Sequence, residues 1–301
     1  MPNTKNLTLD ESFRLLLFGQ YKTGKTECAL TFPRPNVLDF DAGTWTARNP
    51  GFVQRWGLRD VLFERFPGQY NTRGVAVSFD PFDKACRYFD ACMSQSTVMW
   101  ESYDGNKYPV NKDMFDTWIL DSATTATELA LSKAIILLGR PNADKELGQR
   151  SGTHNAALKF GLVIPKIQDY GAERSMIEQL VQMIKDSGKM FVLVCHEGEK
   201  RGKPEMPGVP GPVEAYVPLL TGRSVQAIPL MFDEVYNSRT RPKGTATEYY
   251  LQTTPDGLRA CGSRLGIPNE IPNNWDSIKA ALDSIRAAQT QQAASAAGGL
   301  Q

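Results

Sequence analysis

Histidine is nearly missing from this chain, with two copies in 301 residues, and long hydrophobic runs are missing altogether. No apolar stretch reaches the roughly 18 residues that a bilayer-crossing helix needs, so no membrane partner is expected. Residues 1–11 are polar and lack the apolar centre of a secretory signal, which predicts a cytoplasmic protein. Cysteine is scarce and odd in number: Cys28, Cys86, Cys92, Cys195 and Cys261 show no paired C-x-x-C spacing. Reduced thiols of an intracellular protein are the expectation, and a disulfide framework is excluded. Net charge is almost absent, because 34 basic and 33 acidic side chains leave +1. A global field for nucleic acid is therefore excluded, and any such contact must come from local basic loops. The C-terminal residues 289–301, rich in Gln, Ala and Gly, carry no acidic residue and read as a disordered tail.

What remains is enough for one large core. At 41% hydrophobic content, 301 residues can form a single sizeable α/β domain. Its most specific feature is the octamer Gly19-Gln20-Tyr21-Lys22-Thr23-Gly24-Lys25-Thr26, a G-x-x-x-x-G-K-[ST] phosphate loop, or Walker A element. It follows the apolar run Leu15-Leu16-Leu17-Phe18 and precedes Glu27-Cys28-Ala29-Leu30, so the setting is strand, glycine-rich turn, helix. Backbone N–H groups of such a loop curl round phosphate oxygens, the lysine reaches the β- and γ-phosphates, and the hydroxyl can ligate Mg²⁺. Gly19 to Glu27 is thus the expected nucleotide-binding set, with Lys25 on the phosphates and Thr26 on the metal.

The order of the other elements supports this. Residues 36–41 form a second expected strand. Asp80-Pro81 is a helix start, with Asp at the cap and Pro at the first position, and Tyr103-Asp104-Gly105-Asn106 is a hairpin turn. Residues 115–122 are a short apolar strand ending in Asp121-Ser122, a Walker B candidate in which Asp121 would hold Mg²⁺ directly or through water. A helix over 123–138 follows. The apolar positions 176, 177, 180, 181, 183 and 184 predict an amphipathic helix, and residues 190–195 a buried strand that ends in His196-Glu197. The succession is βαβαβ, hence a mainly parallel sheet flanked by helices. Residues 232–236 and 248–253, around Arg241-Pro242-Lys243-Gly244, read as an antiparallel pair at the C-terminal edge. Residues 274–288 should form a terminal amphipathic helix.

The phosphate loop near the N-terminus, Val37-Leu38-Asp39-Phe40-Asp41-Ala42-Gly43, Trp118-Ile119-Leu120-Asp121-Ser122 and Val192-Leu193-Val194-Cys195-His196-Glu197 together resemble the RecA-like ATPase core. More narrowly they are similar to the short phage ATPases of the Sak type, single-strand annealing and recombination proteins; the resemblance covers about residues 12 to 270. It implies a RecA-like P-loop NTPase domain over 12–288, with 44–114 as an insertion, and ATP and Mg²⁺ as cofactors. Asp41 falls where such proteins carry the carboxylate that polarises the attacking water, although RecA itself has Glu there. Asp39 is the nearby alternative, with a plain strand end as its other reading. His196 takes the place of the residue that senses the γ-phosphate.

Two polar segments fall where the resemblance puts DNA-binding loops. The first, 139–155, carries Arg140, Lys145, Arg150 and His154. The second, 198–223, carries Lys200, Arg201, Lys203 and Arg223, with Tyr216 as its one aromatic. Single-stranded DNA is therefore the implied partner, bound through phosphates and without sequence preference. A homo-oligomer, ring or filament, is implied too, with a single-strand DNA-binding protein as a further partner and a phage host's cytoplasm as the location. Arg264, in Gly262-Ser263-Arg264, keeps the second cation of the pair that such ATPases insert into a neighbour's site.

Two other readings fit the same residues. A P-loop kinase of a nucleotide or small molecule could use Lys200, Arg201 and Lys203 as a lid. A nucleotide-gated DNA-binding protein could bind ATP with negligible turnover. The insertion, with Trp45, Trp56 and Trp100, is open between partner surface and local core. All three readings require the loop: Lys25→Ala should abolish ATP binding, measured by calorimetry, while leaving the far-ultraviolet circular dichroism unchanged.

Overall fold

A computed structural model describes residues 13–70, 76–78, 80–137, 167–204 and 210–298. Five segments supply the centre of its main sheet: β1 (Arg14–Gly19), β2 (Pro35–Asp39), β8 (Thr117–Asp121), β9 (Met190–Arg201) and β11 (Glu234–Lys243). They lie in the order β11-β1-β9-β8-β2 and pair in parallel. The short strand β3 (Leu62–Arg65) adds in parallel to β2 at one edge. At the other edge β12 (Ala246–Gln252) and β14 (Glu270–Pro272) add antiparallel, and β13 (Gly262–Ser263) pairs antiparallel with the start of β11. The α/β class expected from the sequence is the one observed.

Continuous apolar runs form these strands because both faces are covered. Leu16, Phe18, Leu38, Trp118, Leu120, Phe191 and Leu193 enter one core. There they meet α3 (Asp80–Cys92), α4 (Ala123–Leu137) and α5 (Ile167–Asp186). Leu15, Leu17, Val37, Ile119, Val192 and Val194 enter the other, beneath α1 (Lys25–Leu30) and α7 (Trp275–Gly298). Period-two alternation sends neighbours in one strand to opposite layers. Phe13 and Phe32 pack on Trp275, with ring centres 5.7 and 4.6 Å from it. The Thr31 hydroxyl accepts from Trp275 N at 2.7 Å, so the two ends of the described chain close one core.

Several expected boundaries move. β2 stops at Asp39, two residues early, because Phe40 N and Asp41 N both donate to the Asp121 carbonyl and bend the chain. A 3-10 turn, Gly43–Arg48, and α2 (Pro50–Trp56) follow. The hairpin expected around Tyr103 is present as β6 (Val98–Glu101) and β7 (Lys107–Val110). The terminal helix runs to Gly298 and not to 288, since the Ala- and Gln-rich continuation has high helix propensity; the disordered tail expected from 289 is corrected for 289–298. The second expected DNA loop is in part a hairpin. β9 continues to Arg201 and pairs antiparallel with β10 (Val213–Pro218), because Tyr216 and Val217 alternate across from Glu199 and Gly198. The 139–155 segment, with Arg140, Lys145, Arg150 and His154, lies outside the described residues. No described helix is long and apolar enough to cross a membrane.

Beside the sheet, α6 (Ser224–Ala227) packs near α5, and Glu173 of α5 is buried there. Burial raises its carboxyl from 4.5 to about 7. The folded chain therefore keeps a proton that the unfolded chain releases between those values, and stability falls as pH rises through that window. Glu173→Gln should be close to wild type in thermal melting at pH 4 and clearly more stable at pH 8; an equal difference at both would refute the assignment.

Candidate nucleotide site

The phosphate loop turns out of β1 at its carboxyl end. Gly19 aligns with Ser238 of β11 on one side and His196 of β9 on the other. A Cβ at Gly19 would lie 2.4 Å from the Ser238 carbonyl, so only glycine lets the strand pass. Gly24 has φ +85° at the start of α1, the left-handed conformation that glycine adopts at low cost. The loop is braced from outside. Ser238 Oγ donates to the Thr23 carbonyl at 2.7 Å, and Asn273 Nδ2 to the Gly24 carbonyl at 3.0 Å. Thr23 Oγ1 closes the turn on the Gln20 carbonyl at 2.9 Å.

Lys25 is buried, and its Nζ donates to the carbonyls of Gly19 and Gln20 at 2.9 and 2.7 Å. Burial lowers the pKa of this amine, and Asp121 partly opposes that. A phosphate group would replace two neutral acceptors by charged ones, which strengthens the bonds. Thr26 Oγ1 donates to Asp121 Oδ2 at 2.7 Å. Asp121 is buried at the end of β8, and burial raises its carboxyl to about 7 against the hydrogen bond from Thr26. A hydroxyl and one carboxylate are hard oxygen donors of the set that Mg²⁺ takes when phosphates and water complete its shell. Among the described residues no cluster of three His, Cys, Asp or Glu forms a separate metal cage. Thr26 and Asp121 thus fit the expected metal role.

Asp41 stands across the cavity from the loop. Burial alone would raise its carboxyl, but hydrogen bonds from His196, Ser122 and Thr125 outweigh that and hold it below the usual value. Its Oδ1 accepts from Thr125 Oγ1, and His196 Nε2 lies 3.5 Å from Oδ2. Asp39 and Asp41 would share a face of a continuous strand, but the chain bends after Asp39, which is buried and accepts from Gly43 N at 2.8 Å and from Thr44 Oγ1 at 2.5 Å. It is a brace for the 3-10 turn and not a water-facing group.

These residues enclose a cavity of about 700 Å³, lined by Tyr21, Lys25, Thr26, Asp41, Asp121 and His196 among others. Gly19 and Gln20 lie behind it as acceptors for Lys25. Lys22 and Tyr21 sit at the mouth, and Glu27 is also held by Arg55 and Trp56 of α2. Sequence reasoning missed Thr125, Thr46 and Tyr249, which also line the cavity. Thr125 lies three residues after Ser122, on the first turn of α4, and that spacing was available. Tyr249 arrives through β12, which no local pattern reveals.

The remaining expected residues are elsewhere. Arg264 binds Asp233 at 2.7 Å beside the start of β11, the amino edge of the sheet, and takes no part in its own chain's site. Lys200 and Arg201 lie on β9 and pair with Glu214 and Glu199. Tyr216 is covered by the Arg259 guanidinium at 4.5 Å and is not a free stacking surface. Lys203 and Arg223 are exposed without an ion pair among the described residues.

Gly43 lies against the metal pair. A Cβ there would come within 2.6 Å of Asp121 Oδ2 and 3.4 Å of Thr26 Oγ1. Gly43→Ala should lower Mg²⁺ affinity in the nucleotide complex by about 10- to 100-fold, the scale of lost positioning contacts around a metal. Nucleotide binding in EDTA should stay near wild type; equal losses with and without metal would count against the metal assignment.

No curated protein matches the chain. Solved structures similar to it include a KaiC-like protein from Pyrococcus horikoshii OT3, with 12% identity and a TM-score of 0.34 over 87% of this chain and 84% of that one. The RadB recombinase is similar at 14% identity and a TM-score of 0.37, over 82% of this chain and 84% of that one. The family model described as AAA domain matches residues 11–265, a stretch that holds the phosphate loop, Asp41, Asp121 and His196. With that match over most of its length, the chain belongs to the AAA domain family of P-loop NTPases.

Proposed function

We infer that this protein is a RecA-like, Mg²⁺-dependent ATPase that binds single-stranded DNA and supports phage-type annealing or recombination. One observation carries the reading. The strand that brings His196 to within 3.5 Å of Asp41 continues without a break into the β9–β10 hairpin. A change at the γ-phosphate position is thus transmitted along one rigid ribbon to a cation-bearing projection. Behind His196, Glu197 accepts from Asn237 Nδ2 at 2.8 Å and faces Arg259 at 3.7 Å, which fixes the root of the ribbon.

In this mechanism Lys25 exchanges its two carbonyl partners for phosphate oxygens. Mg²⁺, when bound, would neutralise charge on the β- and γ-phosphates. Asp41, ionised at neutral pH, accepts a proton from the attacking water and orients it, and Thr125 and His196 fix the carboxylate. Lys200, Arg201, Lys203 and Arg223 engage the DNA phosphates, joined by Arg140, Lys145 and Arg150. Arg264 faces away from its own site, which suits a role in a neighbouring subunit of a homo-oligomer. A single-strand DNA-binding protein is the further partner, and the host cytoplasm the location.

Phosphate release from MgATP should rise on adding single-stranded DNA, and the rise should fade with salt. Asp41→Asn should lose about 10²- to 10⁴-fold in turnover, the range for a general base, while keeping ATP affinity. Hydrolysis indifferent to DNA would favour the kinase reading. Nucleotide-dependent DNA binding without any phosphate release would favour the gated binder.

A further inference from the structure

The insertion between β2 and β8 holds a second constellation that nucleotide chemistry does not use. Three rings surround one guanidinium: Arg65 lies 5.0 Å from the ring centre of Trp45, 5.3 Å from Tyr103 and 5.8 Å from Phe63. Alternation along the edge strand β3 explains the grouping. Phe63 and Arg65 face one side. Glu64 faces the other, where it is buried and accepts from Trp100 Nε1 and Tyr103 N. Trp45 comes from the 3-10 turn, and Tyr103 from the turn between β6 and β7.

These aromatics are open to solvent: Trp45 is 64% exposed, Tyr103 43% and Phe63 37%. They line a cavity of about 260 Å³. That is below the roughly 300–1,000 Å³ of drug-sized ligand sites, and suits one or two flat rings at an open platform. Arg48 and Arg59 also line it, and Asp60 is its one lining carboxylate apart from any undescribed residue. Arg65 is offset by Asp39 at 3.5 Å and Arg59 donates to the Thr31 carbonyl, whereas Arg48 has no ion pair among the described residues. Rings that keep much of their surface exposed while one face meets Arg65, set beside further cations, match a polymer in which planar bases alternate with anionic phosphodiesters. An acidic peptide would answer the arginines and leave the rings without a stacking partner.

The same 3-10 turn serves both cavities. Thr46 lines the nucleotide site and its neighbour Trp45 lines this one. Gly43 lies against Asp121 and Thr26, while Asp39 holds Gly43, Thr44 and Arg65 together. We propose that the Trp45–Phe63–Tyr103 cavity is a base-stacking site for single-stranded nucleic acid, joined to the nucleotide site through Asp39 and the 3-10 turn. The proposal rests on the reading of the protein as a single-strand-binding ATPase and adds the surface on which bases lie.

Fluorescence anisotropy of a labelled oligothymidylate and of an abasic phosphodiester of equal length tests it, on the full chain with MgATP. The wild type should bind the oligothymidylate about tenfold more tightly than the abasic strand, since stacking on an aromatic contributes that much per base. Trp45→Ala should remove this preference and keep ATP affinity, Trp45→Phe should restore it, and Arg48→Ala should lower the salt slope by about 0.7. The preference should weaken when nucleotide is left out. Equal binding of both strands by the wild type, or an unchanged preference in Trp45→Ala, overturns the stacking site while the single-strand reading survives. A wild type that binds neither strand overturns both.

Discussion

Three carboxylates and one lysine are gathered at the carboxyl edge of a sheet that is covered on both faces, and each has to be held by a different device. Asp121 is kept by the Thr26 hydroxyl, Asp41 by Thr125 and His196, and Asp39 by Thr44 and Arg65. Lys25 lies buried beside them with two backbone carbonyls as partners. Burial, helped by repulsion from Asp41 and Asp39, pushes the Asp121 carboxyl up, while hydrogen bonds from His196, Ser122 and Thr125 hold Asp41 down. The phosphate loop and the 3-10 turn are both tied to these side chains, the loop through Lys25 and Thr26 and the turn through Asp39.

β9 contributes buried apolar residues up to Cys195 and then polar residues, so one strand is a core element in its first half and half of an exposed hairpin in its second. Its turning point, Glu197, sits between Asn237 and Arg259, and Arg259 in turn covers Tyr216 on the returning strand. This polar cluster, with Leu219 against Gly198, fixes the root of the hairpin.

Much of this was legible in the chain. Phe18-Gly19 through Thr26 announces itself because the chemistry of phosphate binding demands glycines and a lysine at fixed spacing. Asp41, Asp121 and His196 could be placed at one edge because apolar runs stop abruptly there at polar residues, although β2 already ends at Asp39 and β9 runs on to Arg201. The hairpin after His196 was read as a loop, since Gly198, Gly202 and several prolines obscure the alternation and pairing with β10 is a tertiary fact. Tyr249, Asn273 and Thr46 were illegible for the same reason: each reaches the site from a segment whose own pattern says only strand, turn or cap. Trp45, Phe63 and Tyr103 are scattered over nearly sixty positions, and the parallel pairing of β3 with β2 and the Tyr103 N–Glu64 hydrogen bond bring them together.

The bracing of the phosphate loop by Asn273 has a consequence for how the protein comes into being. The motif leaves the ribosome some 250 positions before its outer support and the Trp275 ring that closes the core below α1. Contacts spanning so many positions must wait until both partners have been made, a topology that slows folding. A nascent chain therefore carries a recognisable nucleotide loop long before it has a finished one.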